Sequence, residues 1–403
     1  MIVVEGGWLL TMTGEPVRGG RLAIVDGRIV AAGETLADRE PDLRLPGAIL
    51  MPGLVNAHTH LELSYLAGAV PPSEAFVPWV RTLLAARAAV DEMTSPEVDR
   101  AADAAARAMR ASGTAVVGDV SNTLRTPALL ARHGLSGVVF HELLGFGAAD
   151  RAAQVREARA RADAAVAPDV RTTLAPHAPY SVSRELMAAI RDDLAARPDA
   201  VSTVHVAEGQ EEVEFVRTGQ GPWRGMLDRL GVWNESWKAP GTSPIAYLDD
   251  LGVFDGRTLA VHGVQADGPD LARLRASSTT LVSCPRSNRW VGAGNPPIDA
   301  FYASHVRVAF GTDSLASTPD LNLFAELAEA RRLAPRVPAR WLLEGATVVG
   351  ASALGCGDAF GTLEPGKRAA VLAVRVPEGV ADPEQYLLTG IEPDAVSWVD
   401  VHG

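Results

Sequence analysis

Two histidines two positions apart, His58 and His60, close an apolar run that begins at Ala48. Side chains on a strand alternate between faces, so this spacing points both imidazoles the same way. Neutral imidazole is the commonest biological metal ligand, and two on one strand end make half a site. Alone the pair is a weak signal, because two nearby histidines arise readily by chance. The rest of a ligand set follows in order: His205 in Val-His-Val-Ala-Glu208, His262 in Leu-Ala-Val-His-Gly, and Asp313 in Val-Ala-Phe-Gly-Thr-Asp-Ser. Any one of these, taken singly, reads as a hydrogen-bonded histidine or a turn aspartate. The ordered set, each member closing its own apolar run, does not.

Bringing together side chains so far apart in sequence requires a repeating scaffold. Short apolar runs occupy Leu54–His58, Ala115–Asp119, Ser136–His141, Arg171–His177, Val201–His205, Thr258–His262, Thr280–Pro285 and Val306–Asp313. Helical stretches rich in alanine, leucine and arginine, Pro96–Ala111, Arg151–Ala165, Ser183–Ala195 and Leu321–Leu333, lie among them. Such alternation predicts βα units and a parallel sheet, and eight units in about 260 residues match a (β/α)8 barrel in size. Functional groups of such barrels sit at the C-terminal ends of the strands, where all the residues above fall. The N-terminal segment reads instead as short strands, Met1–Val4, Gly7–Met12, Leu22–Val25 and Arg28–Ala31, broken by glycine-rich turns. After a helical stretch over Ala339–Leu354, strand-like character returns at Gly361–Lys367 and Ala370–Val374. The expected fold class is α/β: a TIM-type barrel over residues 52–357, and a small β-sandwich domain built from residues 1–51 and 358–403.

Composition narrows the function classes. A chain of 403 residues exceeds what one simple core usually holds, which fits one large domain plus a small one. A net charge of -12 argues against a nucleic-acid partner, whose footprint is a basic patch. Cys284 and Cys356 offer neither a disulfide framework nor a cysteine metal cluster, which fits a reducing cytoplasm. The start, Met-Ile-Val-Val-Glu-Gly, lacks the features of a signal peptide, and no apolar run approaches the roughly 20 residues of a membrane span. The expectation is a cytoplasmic protein with no membrane partner, and a homodimer is left open.

The motifs Pro52-Gly-Leu-Val-Asn-Ala-His58-Thr-His60, Pro176-His177-Ala-Pro-Tyr180, His205-Val-Ala-Glu208, Val261-His262-Gly, Cys284-Pro-Arg-Ser-Asn288 and Gly311-Thr-Asp313-Ser resemble those of the amidohydrolase superfamily, in its cytosine/guanine/adenosine-type aminohydrolase branch. The resemblance implies one divalent metal ion, zinc or iron, held by His58, His60, His205 and Asp313. It implies Glu208 as proton shuttle and His262 as a group beside the metal-bound water. The chemistry is consistent: three imidazoles and a carboxylate suit a divalent N/O site, and a bound cation lowers the pKa of water toward about 7. Asp313 would accept the water's proton and Glu208 would protonate the substrate ring nitrogen. Lys238 and Lys367 are the only lysines, and neither falls on an expected barrel strand, which argues against a carboxylated-lysine bridge between two metals.

Several segments also look like the group that deaminates 6-aminodeoxyfutalosine: His58-Thr-His-Leu-Glu-Leu-Ser64, Phe76-Val-Pro-Trp79, His205-Val-Ala-Glu-Gly-Gln-Glu-Glu212 and Pro244-Ile-Ala-Tyr-Leu-Asp-Asp-Leu251. The implied substrate is a nucleoside-like small molecule, an adenosine analogue carrying an aromatic carboxylate. Other substrates stay open: S-adenosylhomocysteine, methylthioadenosine, guanine, a pterin or a triazine. A non-catalytic relative is disfavoured because every ligand is present. His177 is expected against the base or sugar. Arg286, whose planar fork suits a carboxylate, and Asn288 are expected where a long substrate passes, and Glu142 against ribose hydroxyls. Arg286 reads equally as a surface or capping arginine, and Glu142 as an arginine partner. Trp79 and Trp223 read as core residues or as pocket walls, and residues 219–241 as a segment too long for an ordinary loop.

Overall fold

Each of the eight apolar runs forms a strand, and burial on both faces explains why they are nearly continuous rather than alternating. The computed structural model describes residues 1–399 apart from 37, 148 and 149, so the end of the C-terminal segment, 400–403, lies outside the described residues. In the N-terminal segment the strands are β1 (Ile2–Leu9), β2 (Val17–Arg18), β3 (Arg21–Val25), β4 (Arg28–Ala32) and β5 (Leu43–Pro52). The central strands are β6 (Leu54–Thr59), β7 (Thr114–Ser121), β8 (Ser136–Leu143), β9 (Val170–Pro176), β10 (Ser202–Val206), β11 (Thr258–His262), β12 (Thr280–Ser283) and β13 (Arg307–Phe310). Two more, β14 (Val371–Arg375) and β15 (Val396–Trp398), follow near the C-terminus. Every residue of β6, β7, β8, β10, β11 and β12 is buried.

The central strands pair in parallel as two four-stranded sheets, β6-β7-β8-β9 and β10-β11-β12-β13. Hydrogen bonds tie the sheets at both seams. At one seam His205 N donates to His177 O at 2.9 Å, and Ser202 Oγ to Leu174 O at 3.0 Å. At the other, Thr312 N and Asp313 N donate to His58 O at 3.0 and 3.1 Å. Gly311 makes that approach feasible, since a Cβ there would lie 2.6 Å from His58 O. Helices lie between successive strands, among them Pro96–Ala111, whose first turn is capped by the Ser95 side chain accepting from Glu97 N.

The termini depart from the expected sandwich. Their strands form one seven-stranded sheet, ordered β15-β14-β5-β1-β3-β4 with β2 on β1. The reason is β5, which pairs in parallel with β1 and, through Ala48–Pro52, antiparallel with β14, so one long strand joins what had read as separate layers. The two runs expected at the start are likewise one strand. The break expected between them is instead a register shift against β5 between Gly6 and Trp8, and a Cβ at Gly7 would sit 2.2 Å from Pro46 O. The helical stretch after β13 is also less regular than expected: Ala339–Glu344, a π-turn at Gly345–Val349, then Gly350–Ala353. Within that turn Thr347 Oγ1 donates to Leu343 O at 2.7 Å, a bond that competes with the helical ladder. No helix among the described residues is long and apolar enough to cross a membrane.

Candidate active site

Where the two sheets meet, His58, His60, His205 and Asp313 converge. His60 Nε2 and His205 Nε2 stand 3.2 Å apart, and Asp313 Oδ1 lies 3.6 Å from His60 Nε2 and 3.9 Å from His58 Nε2. His58 is fully buried, and neither of its ring nitrogens has a hydrogen-bond partner among the described residues. Buried polar atoms are normally satisfied, so an imidazole orphaned inside a ring of ligand-type atoms is the signature of a cation site. Ligand nitrogens of His58, His60 and His205 all lie within 4.8 Å of one another. Burial holds all three imidazoles below their ordinary pKa, in the neutral form that coordinates metal. The donor set therefore fits a divalent cation.

Neighbours fix these groups in place. His205 Nδ1 faces His177 O at 3.0 Å, which turns its Nε2 toward His60. Asp313 Oδ2 accepts from Ser287 Oγ at 2.6 Å and Ser317 Oγ at 3.0 Å. The carboxylate of Glu62, two residues past His60, accepts from Asn122 N at 2.9 Å and Thr123 N at 3.0 Å and ties this segment to the end of β7. Three strands leave the site through left-handed backbone at non-glycine residues: Ala207 at φ 53, His262 at φ 79 and Asp313 at φ 59. Such conformations cost about 1–3 kcal/mol each and cluster where geometry serves function.

Two carboxyls in this site are pushed in opposite directions. Burial, reinforced by Asp313 and Glu212, raises Glu208 well above the carboxylate range. Burial also acts to raise Asp313, but His60, His262 and the Ser287 hydroxyl outweigh it and hold the group low. Titratable pairs whose environments separate them mark an acid and a base. His262, pushed by burial to about 3, is neutral. Its Nδ1 accepts from Asn288 Nδ2 at 2.8 Å, so in this amide orientation the ring proton is on Nε2, 3.6 Å from Glu208 Oε2.

The turn carrying Glu208 is clamped from both sides. Glu212 accepts from Ala207 N at 3.0 Å and from Glu208 N at 2.9 Å. Opposite, Gln265 N donates to Ala207 O at 2.8 Å, and its side-chain Nε2 to Glu208 O at 3.3 Å.

A pocket opens over this centre. His60, Glu142, His177, His205, Glu208, His262 and Asp313 lie on its floor and sides. The helices Phe76–Arg87 and Pro222–Arg229 supply apolar walls, so Trp79 and Trp223 both face it, and residues 219–241 contribute to its cover. Tyr180 and Trp223 stack with ring centroids 3.7 Å apart. Glu142 accepts from Asn122 Nδ2 at 3.1 Å, and His177 Nδ1 meets Ser181 Oγ at 2.5 Å. Two expected substrate contacts fall elsewhere. Arg286 is not among the pocket-lining residues: its Nη1 and Nη2 each meet Asp320 at 2.8 Å, and Nε is 3.6 Å from the buried Glu326. Asn288 serves His262 rather than the pocket. An arginine fork is satisfied by whichever carboxylates fold beside it, and sequence position past a strand end does not reveal them. Sequence reasoning overlooked Arg87, Asn122, Ser287, Glu212 and Gln265. The signal for Arg87 was present: it follows Val80, Leu83 and Leu84 at helical spacing on the wall facing the pocket.

The amidohydrolase family model matches residues 49–395, and the chain belongs to the amidohydrolase family. It is thus a hydrolase acting on C–N bonds. It is 34% identical over 358 residues to the aminodeoxyfutalosine deaminase of Deinococcus radiodurans, an alignment covering 82% of this chain and 81% of that protein. A zinc-bound adenosine deaminase structure from Xanthomonas campestris superposes with a TM-score of 0.82 at 28% identity, covering 98% of this chain and 90% of that one. The Helicobacter pylori aminofutalosine deaminase in complex with methylthio-coformycin superposes with a TM-score of 0.81 at 25% identity, covering 96% and 95%.

Proposed function

We propose that this chain is a metal-dependent deaminase of an aminopurine nucleoside, and that its substrate is 6-aminodeoxyfutalosine, an intermediate of menaquinone synthesis. The observation that carries the reading is the convergence of His58, His60, His205 and Asp313 beside the buried Glu208. His58, His60, His205 and Asp313 would hold the ion, with zinc the best fit to this donor set and iron the second. When bound, a divalent cation supplies Lewis acidity that brings the pKa of water toward about 7.

The chain's own groups handle the protons. Asp313, kept ionised, takes the proton of the attacking water. Glu208, kept protonated by burial, delivers its proton to the ring nitrogen beside the attacked carbon and then relays one to the departing amine, which leaves as ammonia. His262 Nε2 points its proton at the incoming oxygen and orients it. The Tyr180–Trp223 stack and the helix Phe76–Arg87 exclude water, and His177 and Glu142 face the base or sugar.

In the same reading the two parallel sheets are halves of one closed (β/α)8 barrel over residues 52–357, with residues 1–51 and 358–403 as a flanking β unit. The setting is a reducing cytoplasm. Support for the substrate comes from the Deinococcus radiodurans relative. Methylthioadenosine, S-adenosylhomocysteine, guanine, a pterin and a triazine are the competing substrates. Ammonia release from each of these under steady state tests the reading: 6-aminodeoxyfutalosine should give the highest kcat/KM, and no release from it would remove it as the substrate.

A further inference from the structure

The geometry points to Arg87 as a second recognition site, at the mouth of this pocket, that takes a carboxylate borne on the far end of an apolar substituent. It rests on the deaminase reading and narrows its substrate class. Among the described residues lining the pocket, Arg87 is the one arginine or lysine. It ends the helix Phe76–Arg87, whose Phe76, Trp79, Val80, Leu83 and Leu84 form the adjoining wall. One edge of its fork is engaged: Nε and Nη2 meet Glu92 at 2.9 and 2.8 Å. On the other edge Nη2 has only Asn122 Oδ1, at 3.5 Å, and Nη1 has no acceptor among the described residues.

A guanidinium carries five N–H donors in a fixed plane, so the outer edge still presents the paired N–H groups that grip a carboxylate. Glu92 does not cancel this. Tyr65 Oη donates to it at 2.6 Å, which disperses its charge and fixes the arginine plane. At 27% exposure the Arg87 side chain is neither buried nor free in solvent, as a group at a pocket mouth should be.

Apolar side chains rim the opening beside Arg87. Leu84, Leu144 and Leu230 line the pocket yet are 37%, 49% and 57% exposed. Exposed apolar side chains gathered at one opening mark a surface that a ligand covers. The ionised carboxylates on the floor, Glu142 and Asp313, disfavour an anion there. The purine end therefore goes in first, the apolar linker lies against the leucines, and the carboxylate stays at Arg87. This is the role that sequence position had suggested for Arg286.

Ammonia release by the metal-loaded enzyme, measured on 6-aminodeoxyfutalosine and on 5′-deoxyadenosine, which lacks the tail, tests this. Arg87→Gln should lower kcat/KM on the carboxylate-bearing substrate by about ten- to a hundredfold, mainly through KM. On 5′-deoxyadenosine it should stay within about twofold. Arg286→Gln should leave the ratio of kcat/KM on the two substrates unchanged. Arg87→Lys keeps the charge without the fork and should lose part of the preference; it carries the test if Arg87→Gln fails to fold. Equal losses on both substrates, or an unchanged ratio in an active enzyme, would overturn the proposal. Wild-type enzyme inert on both nucleosides would remove the 6-aminodeoxyfutalosine reading, and this proposal with it.

Discussion

Replacing Glu212 with alanine probes how tightly the acid Glu208 must be held. Glu212 touches none of the four metal-ligating side chains by hydrogen bond. Its carboxyl accepts the N–H of Ala207 and of Glu208 at 3.0 and 2.9 Å, across a turn whose first residue has φ 53. Alanine leaves two buried donors unsatisfied, each costing about 1–3 kcal/mol, and removes the restraint on a left-handed residue that itself costs about 1–3 kcal/mol to hold. The loss is large enough to let the turn relax toward ordinary backbone, which moves the Glu208 carboxyl. A displacement of about 1 Å at a reacting group costs about a hundredfold in rate. Glu212→Ala should therefore lower kcat by about ten- to a hundredfold, with KM changed less than about threefold. Bound metal, measured by elemental analysis, should be unchanged. Glu212→Gln retains one acceptor and should fall between. A folded Glu212→Ala enzyme with kcat within about twofold of wild type would refute the clamp.

Glu208→Gln should keep its metal and lose turnover by at least about a hundredfold, because an amide cannot cycle a proton; retained activity would overturn the acid–base assignment. Behind the ligand His60, burial pushes the Asp119 carboxyl up to about 8, and Oδ1 accepts from Leu61 N at 2.9 Å. The folded state thus holds this proton more tightly than the unfolded chain does. Its contribution is fully present below the unfolded value of 3.8 and is lost as pH rises through about 8. Asp119→Asn keeps the Oδ1 acceptor without the ionisation, so its Tm relative to wild type should climb between about pH 5 and pH 9. A difference independent of pH would refute the burial argument.

Much of this arrangement is legible in the sequence because the central strands are buried on both faces. Runs such as Ser136–His141 and Thr258–His262 have no reason to be continuously apolar unless covered on either side, and their ends then locate the functional groups. The N-terminal unit was less legible. There the break expected between two short runs is a shift of register within one strand, and only the partner strand β5 reveals it. The distal end of the pocket was least legible. Arg286 and Arg87 are equivalent in sequence as cationic forks, and their difference lies in Asp320 and Glu326 closing around one while Glu92 leaves an edge of the other open. Glu212 and Gln265 were overlooked because they act on backbone atoms, which no side-chain motif records.

The central claim is that His58, His60, His205 and Asp313 jointly hold one divalent ion on which ammonia release depends. Anomalous diffraction from crystals of the purified protein tests it most directly, paired with chelation and metal readdition in the activity assay. The account predicts a single anomalous peak about 2.0–2.2 Å from the three imidazoles and the carboxylate, with activity lost on chelation and restored by zinc or iron. Full activity in demonstrably metal-free protein, or an ion bound elsewhere, would contradict it.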